Sequence, residues 1–461
     1  MKKIMKFLLI VFPFLLFSCG DVLLADAVAE TMPEKPVIQE EEKDENPIKN
    51  WTIVLYMAAD NNLESFALAD LNEMESAELD ESVTVLALLD RAKGYDETNG
   101  DWTDTRLFRV TKNLQENNAC ISSERLECEE LGLKTDEETE LDMANPKVLE
   151  GLLKFARSSY PAEKYALIFW GHGTGWRGEN ERASGEMNKT SPDSFRAVAI
   201  DGTSDSYMTI SQVNEAVKSG MVGEKISIIG FDTCFGMCVE AAYELCESAD
   251  FMLGTPALVP ESGWNYTLFL TNFLKSQKSV SDLISSVSEQ YAQTYRNYGY
   301  ASFSCVELSR IPSAVDKFSE FSKKLAQKID TKPARDEIFS VFSSEASSYM
   351  ASSWPTDFYV DVADLLEKLT LHAYSESKDA LDAFADSIVS SWSASGKKVS
   401  MGLFFCVYQG AGIPQPSHPS MYVNGSRDTS MSRFVQNVSA YVPTTEKTGS
   451  LLDKLFYTSY N

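Results

Sequence analysis

The chain has 461 residues, a formal net charge of −27 and an apolar fraction of 44%. That length accommodates one large or two ordinary domains with a sizeable core. So acidic a composition excludes the basic footprint that nucleic acid requires, and it disfavours electrostatic adhesion to anionic lipid.

Residues 1–18 read as a targeting segment. Lys2, Lys3 and Lys6 form a positive start, and Phe7 to Phe17 an apolar stretch too short to span a bilayer. Leu16-Phe17-Ser18-Cys19 resembles the bacterial lipobox, which makes Cys19 the expected lipidation site; a plain secretory signal is the alternative. No later stretch suits a transmembrane helix, so the lipid would be the only membrane anchor, each buried methylene contributing about 0.8 kcal/mol. The expected location is therefore the bacterial cell envelope, lipid-anchored, facing the periplasm or the exterior. Residues 19–49 read as a disordered acidic tether. Glu40, Glu41, Glu42, Asp44 and Glu45 crowd together, Pro33, Pro36 and Pro47 punctuate, and aromatics are absent.

The folded region is expected from Trp51. Trp51–Met57, Val83–Leu89, Tyr165–Trp170 and Ile226–Phe231 are dense apolar runs of the kind that fill strands buried on both faces. Helical patterns lie between them. Asn61 and Glu64 have capping-box spacing ahead of Leu63, Phe66, Leu71 and Met74. Asn145-Pro146 is a strong helix start. Ile210, Val213 and Val217 outline another helix, and Gly236–Cys246 a further one. Alternating strands and helices predict an α/β fold with a doubly wound, mostly parallel sheet over residues 50–275. From residue 276 to 461 the texture becomes α-rich, with amphipathic helices expected at 281–299, 311–329 and 361–372 and a strand at Ser400–Tyr408. This region is expected to pack on the core.

Besides Cys19, seven cysteines remain, an odd number that leaves at least one thiol unpaired. Cys120 and Cys128 are candidates to pair with each other. With no CxxC pair and three histidines in the chain, a structural zinc site is not expected.

Two buried strands run into reactive residues, one into Gly171-His172-Gly173-Thr174-Gly175-Trp176 and the other into Asp232-Thr233-Cys234-Phe235-Gly236-Met237. In open α/β sheets ligands bind beyond the carboxyl ends of strands, which puts His172 and Cys234 on the functional rim. A cysteine nucleophile needs a base nearby, and His172 qualifies. A helix starting after Cys234 would favour negative charge on its sulfur. The N–H groups of Gly173 and Cys234 are candidates for an oxyanion hole. The structural alternatives are a buried small hydrophobe for Cys234 and a turn histidine satisfied by backbone for His172. Asp60 faces the same rim, where capping or loop structure is its expected role.

Several segments in this order resemble the clostripain family of cysteine peptidases, in the clan of caspases, legumains and gingipains. They are VLYMAADNNLE (54–64), the Asn145-Pro146 helix, SSYPAEKYALIFWGHGTGW (158–176), AIDGTSDSYMTISQVNEAV (199–217), ISIIGFDTCFGM (226–237), Gly263-Trp264-Asn265-Tyr266, YASFSCVELSR (300–310) and Asp357–Leu366. The resemblance covers roughly residues 50–410. It implies a caspase-like fold, a His172/Cys234 dyad with no required third residue, and a thioester acyl-enzyme. It also implies polypeptide substrates cut after arginine or lysine, with Asp232 helping to form the pocket; Glu261, in the loop before Gly263-Trp264, is a candidate second carboxylate. A carboxylate there would pair with arginine, preferably bidentately; an N-cap is the alternative role for Asp232. Thr255-Pro256 departs from the Ser-Glu or similar pair that relatives carry, which leaves the outer subsites open. The resemblance allows calcium without requiring it, and no loop has the regular alternation of a calcium-binding loop. Relatives mature by self-cleavage after a basic residue in a comparable loop, which makes 177–196, with Arg177, Arg182, Lys189 and Arg196, the candidate segment; an ordinary exposed loop that is never cut is the alternative. The rival readings are a catalytically silent surface lipoprotein that binds proteins or glycans, and the same acyl-enzyme passing to an amine.

Overall fold

The computed structural model describes residues 48–113, 120–176, 198–275, 279–351, 354–405, 407–410, 413–416, 433–444 and 447–457. The targeting segment with Cys19, the tether up to residue 47, the expected cleavage loop and Cys406 lie outside the described residues.

The chain begins with β1 (Lys49–Ala59), α1 (Glu64–Glu75), β2 (Val83–Arg91), β3 (Thr105–Arg109), β4 (Glu124–Leu126), α2 (Pro146–Ser159) and β5 (Ala162–Trp170). There follow β6 (Val198–Asp201), β7 (Ser206–Met208), α3 (Ile210–Gly220), β8 (Ile226–Asp232), α4 (Val239–Leu245), β9 (Ala249–Gly254), α5 (Tyr266–Lys275), α6 (Val280–Tyr295) and β10 (Ser302–Glu307). The last third holds α7 (Ile311–Lys328), α8 (Lys332–Ser340), β11 (Ser348–Ala351), β12 (Trp354–Asp361), α9 (Val362–Leu371), α10 (Lys378–Ser387), β13 (Ile388–Ser393), β14 (Gly402–Phe404), β15 (Val407–Gly410) and β16 (Ile413–Pro416).

One sheet of nine strands runs in the order β13-β10-β9-β8-β5-β1-β2-β3-β4. Its centre, β2-β1-β5-β8-β9, is parallel, and antiparallel strands extend both sides. The doubly wound α/β class is thus the observed one. Ile53, Leu55 and Met57 point to the face covered by α1, α5 and α6; Val54, Tyr56 and Ala58 point to the face covered by α2, α3, α4 and α7. Burial on both faces explains why these strands read as unbroken apolar runs. Residues beyond 276 add β10 and β13 to this sheet and form a small second sheet, β11-β12-β14.

Local signals held where no distant partner competed. Asn145 caps α2, its Oδ1 accepting from the Lys147 N–H at 3.0 Å. The expected helices at 281–299, 311–329 and 361–372 are α6, α7 and α9.

Four expectations need correction. Asn61 and Glu64 form no capping box: α1 has Leu63 at its N-cap, Asn61 Oδ1 accepts from the Leu63 N–H, and the Glu64 carboxylate is taken by buried Arg91. The helix expected from Gly236 starts only at Val239, because the N–H groups of Phe235 and Met237 bond across to the carbonyls of Ala257 and Thr255. Ser400–Tyr408 is divided between β14, which pairs with β12, and β15, which pairs with β16. Cys120 and Cys128 are both free, the first exposed and the second buried beside the Glu130 carboxylate.

Candidate active site

Strands β5 and β8 are neighbours, and Trp170 lies opposite Asp232 in their register. His172 and Cys234 each follow two residues later, so a shared register delivers both to the same carboxyl edge. The Gly171 N–H donates to the Asp232 carbonyl at 3.3 Å, carrying the pairing one step past the strands. At Gly173, a Cβ would come within 2.7 Å of the Thr233 side chain and 3.0 Å of the Cys234 carbonyl. Only glycine lets the histidine loop lie this close to the cysteine loop.

His172 is half-buried. Its Nε2 lies 2.9 Å from Oδ1 of Asn62, in the loop after β1. An amide oxygen only accepts, so this contact favours the tautomer with the proton on Nε2 and the lone pair on Nδ1. Burial holds the imidazole below its ordinary pKa, which leaves it neutral at pH 7.

Cys234 is also half-buried, and its Sγ accepts from the Val259 N–H at 3.4 Å. Burial pushes its thiol up to about 11, against the pull of that N–H and with a further push from Asp232. The resting group is therefore a thiol. With α4 starting five residues further on, no helix N-terminus acts on the sulfur, contrary to the sequence-based expectation. Phe235 sits in the left-handed region at φ +57° and stacks on Tyr359, ring centroids 5.6 Å apart. The Tyr359 hydroxyl donates to the Thr174 carbonyl at 2.9 Å, so one β12 side chain braces both reactive loops. The N–H groups of Gly173 and Cys234 donate to no acceptor among the described residues.

Asp232 is buried on the α1/α5 face. Its Oδ2 accepts from the Trp264 N–H at 2.9 Å and the Tyr266 hydroxyl at 3.0 Å, while Oδ1 has no partner. Burial pushes its carboxyl up to about 7, against those two donors and helped by the charge of Glu73. It caps no helix, which removes its structural alternative. A second buried carboxylate stands behind it. A Cβ on Gly263, at φ +56°, would meet Asp232 Oδ2 at 2.7 Å and Asp70 Oδ2 at 3.2 Å. Asp70 accepts from the Trp170 indole at 2.6 Å, and burial first, then Asp232, holds its carboxyl well above the ordinary range. Tyr291 adds a buried hydroxyl without a partner. Such a set can take a cation or a guanidinium. Glu261 is exposed.

Asp60 receives the Thr203 N–H on its carboxylate and the Gly202 N–H on its carbonyl, holding the 201–204 turn, as expected of loop structure. Sequence reasoning passed over Asn62, Asp70 and Tyr359. Asn62 follows Asp60 on the rim and was legible there. Asp70 reads as an ordinary polar helix position, and Tyr359 carries no local signal.

The clostripain family profile matches residues 55–447. Clostripain from Hathewaya histolytica is 28% identical over 237 residues, 48% of this chain and 41% of that protein; the match thus spans about two-fifths of the curated relative. Among solved structures, a secreted C11 cysteine protease from Bacteroides thetaiotaomicron in complex with an irreversible peptide inhibitor superposes with a TM-score of 0.56 at 20% identity, covering 85% of this chain and 99% of that one. An inactive zymogen C11 protease from Parabacteroides distasonis gives 0.54 at 18% identity, over 81% and 94%. These two share the fold.

Proposed function

This chain belongs to the clostripain family, and from that premise we propose that it is a cysteine endopeptidase cutting polypeptides after arginine or lysine. The observation that carries this reading is the register of β5 and β8, which ends with His172 and Cys234 each two residues past a facing pair; burial keeps the imidazole neutral and the thiol protonated, which supports a His/Cys dyad at that sheet edge.

Because the thiol is protonated at rest, proton transfer accompanies attack. His172 Nδ1 takes the Cys234 proton as Sγ bonds to the scissile carbonyl carbon. The resulting oxyanion is met by the N–H groups of Gly173 and Cys234. Collapse breaks the C–N bond, and His172 passes its proton to the leaving amine. A water molecule, giving a proton to His172, then attacks the thioester; the C–S bond breaks, and the sulfur of Cys234 leaves as the thiol by taking that proton from His172. The unpartnered Oδ1 of buried Asp232 supports a basic P1 side chain, whose charge would replace the missing partner.

The finer parts of the reading rest on the sequence. Cleavage within 177–196 would mature the enzyme, in keeping with the zymogen among its structural neighbours. Export and lipidation at Cys19 would place it at the cell envelope, in keeping with a neighbour described as secreted.

A fluorogenic peptide panel varying P1, run on wild type and Cys234→Ala, tests the activity. Cleavage confined to Arg and Lys and lost in Cys234→Ala is the expected result; equal turnover by Cys234→Ala overturns it. N-terminal sequencing of both proteins tests maturation, since an unprocessed wild type refutes it. A silent binding protein would show neither turnover nor selective alkylation of Cys234 by a peptidyl electrophile.

A further inference from the structure

An exposed aromatic step stands on the same rim, on the side of Cys234 away from His172. Gly254 of β9 lies opposite Phe231 of β8 and also opposite Ser304 of the antiparallel β10. Cys234 comes three residues after Phe231 and Tyr300 four residues before Ser304, so both leave the sheet at the same edge, two strand spacings or about 10 Å apart. Backbone bonds hold the turn into β10. The Tyr298 N–H donates to the Tyr295 carbonyl at 2.9 Å, the Ala301 N–H to the Tyr298 carbonyl at 2.8 Å, and the Ala394 N–H to the Ala301 carbonyl at 2.9 Å. On this turn Tyr298 is 46% and Tyr300 55% exposed, their ring centroids 6.3 Å apart.

The step is fastened to the loop that donates to Asp232. Tyr295, whose ring centroid is 5.4 Å from that of Tyr298, donates its hydroxyl to the Gly263 carbonyl, and the Ser262 hydroxyl lies 2.9 Å from it. The Gly263 N–H closes a turn onto the Pro260 carbonyl at 2.9 Å, which leaves Glu261 exposed within it. Burial first, then Tyr298, Cys234 and Glu261, push the Tyr300 hydroxyl above its ordinary pKa, as expected of a ring near both the nucleophile and that carboxylate. Among the described residues no lysine or arginine pairs with Glu261 or lies over either exposed ring.

Exposed ring faces beside an unpaired carboxylate attract a cation on both counts, whereas an apolar side chain gains nothing from the carboxylate. In the proposed reaction His172 gives its proton to the leaving amine. The leaving segment therefore lies on the β5 side of Cys234, and the acyl segment crosses β9 toward β10. The P1 side chain turns to the face of Asp232. In an extended chain the side chain two residues earlier, P3, turns to that same face and P2 to the other. Tyr291 and Tyr295 belong to the core of that face together with Trp264, so the step stands on the P3 side. Two residues of extended chain span about 7 Å, and a lysine or arginine side chain covers the rest of the way to Tyr300.

We propose that Tyr298, Tyr300 and Glu261 form a subsite for a second basic side chain, at P3, so that preferred substrates carry lysine or arginine two residues before the basic residue that is cut. The chain's net charge of −27 favours the approach of such doubly cationic segments. The inference rests on the protease reading and adds a substrate class to it.

The test uses the full-length chain and fluorogenic peptides with arginine at P1, alanine elsewhere, and lysine, norleucine or glutamate at P3, beside a peptide with lysine at P2 only. Lysine at P3 is expected to raise kcat/KM about fivefold over norleucine, the combined effect of an exposed cation–π contact and a surface ion pair. The advantage should shrink as sodium chloride is raised. Lysine at P2 is expected to give no such gain. Glu261→Gln and Tyr300→Leu, both at exposed positions, should keep the wild-type thermal midpoint and bring the lysine-to-norleucine ratio toward one. Glu261→Lys should favour glutamate over lysine at P3. Equal turnover of the P3 lysine and norleucine peptides by wild type, or an unchanged ratio in either variant, overturns the subsite and leaves the protease reading standing. A gain from lysine at P2 instead overturns the P3 assignment. No cleavage of any arginine peptide, with no labelling of Cys234 by a peptidyl electrophile, defeats the protease reading and the subsite with it.

Discussion

Trp170 and Asp232 face each other across two parallel strands, and each stands two residues before a reactive side chain. The pair belongs to the site in a second way. Both turn to the α1/α5 face, where the Trp170 indole binds Asp70 directly behind Asp232. One register thus carries His172 and Cys234 to the rim and Asp232 and Asp70 to the face below it.

Asp232→Ala is expected to cut kcat/KM for an arginine-P1 peptide by at least about a hundredfold, equivalent to roughly 2.7 kcal/mol, while barely changing an uncharged-P1 peptide. With its carboxyl up at about 7, Asp232 is largely neutral in acid and charged above neutrality. Arginine cleavage should therefore rise with pH through about 7. Uncharged-P1 cleavage should begin to rise at lower pH, following His172, whose pKa burial lowers. Parallel pH profiles for the two substrates count against the pocket assignment.

The same carboxyl has a stability consequence of defined sign. Its folded pKa lies above its unfolded value, so the folded state holds the extra proton and stability falls as pH rises from about 4 through 7. Asp232→Asn removes that loss, on the order of 4 kcal/mol at most. A higher thermal midpoint at pH 8 but not at pH 4 is expected by calorimetry. A variant less stable than wild type at pH 8 contradicts the burial cost.

Asn62→Ala should lower kcat by roughly tenfold with little change in KM, because it frees the imidazole without touching substrate contacts. Selective alkylation of Cys234 should slow in step. Unchanged kcat removes Asn62 from the positioning of His172.

Tyr359→Phe keeps the ring against Phe235 and deletes the bond to the Thr174 carbonyl. It is expected to cost about 1 kcal/mol in denaturant unfolding and a severalfold loss of kcat. Tyr359→Ala, which also removes the stacking, should cost 3–5 kcal/mol, roughly. Equal effects from the two variants would show that the hydroxyl, not the ring, braces the loops.

Strands β1, β2, β5 and β8 were legible because their apolar runs answer to solvent alone, whatever packs against them. The caps at Asn145 and the extents of α6 and α7 were legible for the same reason: the decisive bonds lie within a few residues. Asn61 and Glu64 misled because a distant guanidinium, Arg91, outcompetes the local backbone for the Glu64 carboxylate. The start of α4 was misplaced because the 255–257 carbonyls claim the N–H groups that a helix would leave open.

By itself, then, the order of residues determined the alternation of strands and helices and the presence of a histidine and a cysteine each just past a buried strand. Only the tertiary structure decided that β5 and β8 are neighbours in a register that aligns those two side chains. Only it brought Asn62 to the imidazole, Tyr359 to both loops, and the carboxylate of Asp70 behind that of Asp232. The physical reason is range. Hydrophobic periodicity and capping act over a few residues, whereas hydrogen bonds, burial and charge act wherever the folded chain makes groups neighbours.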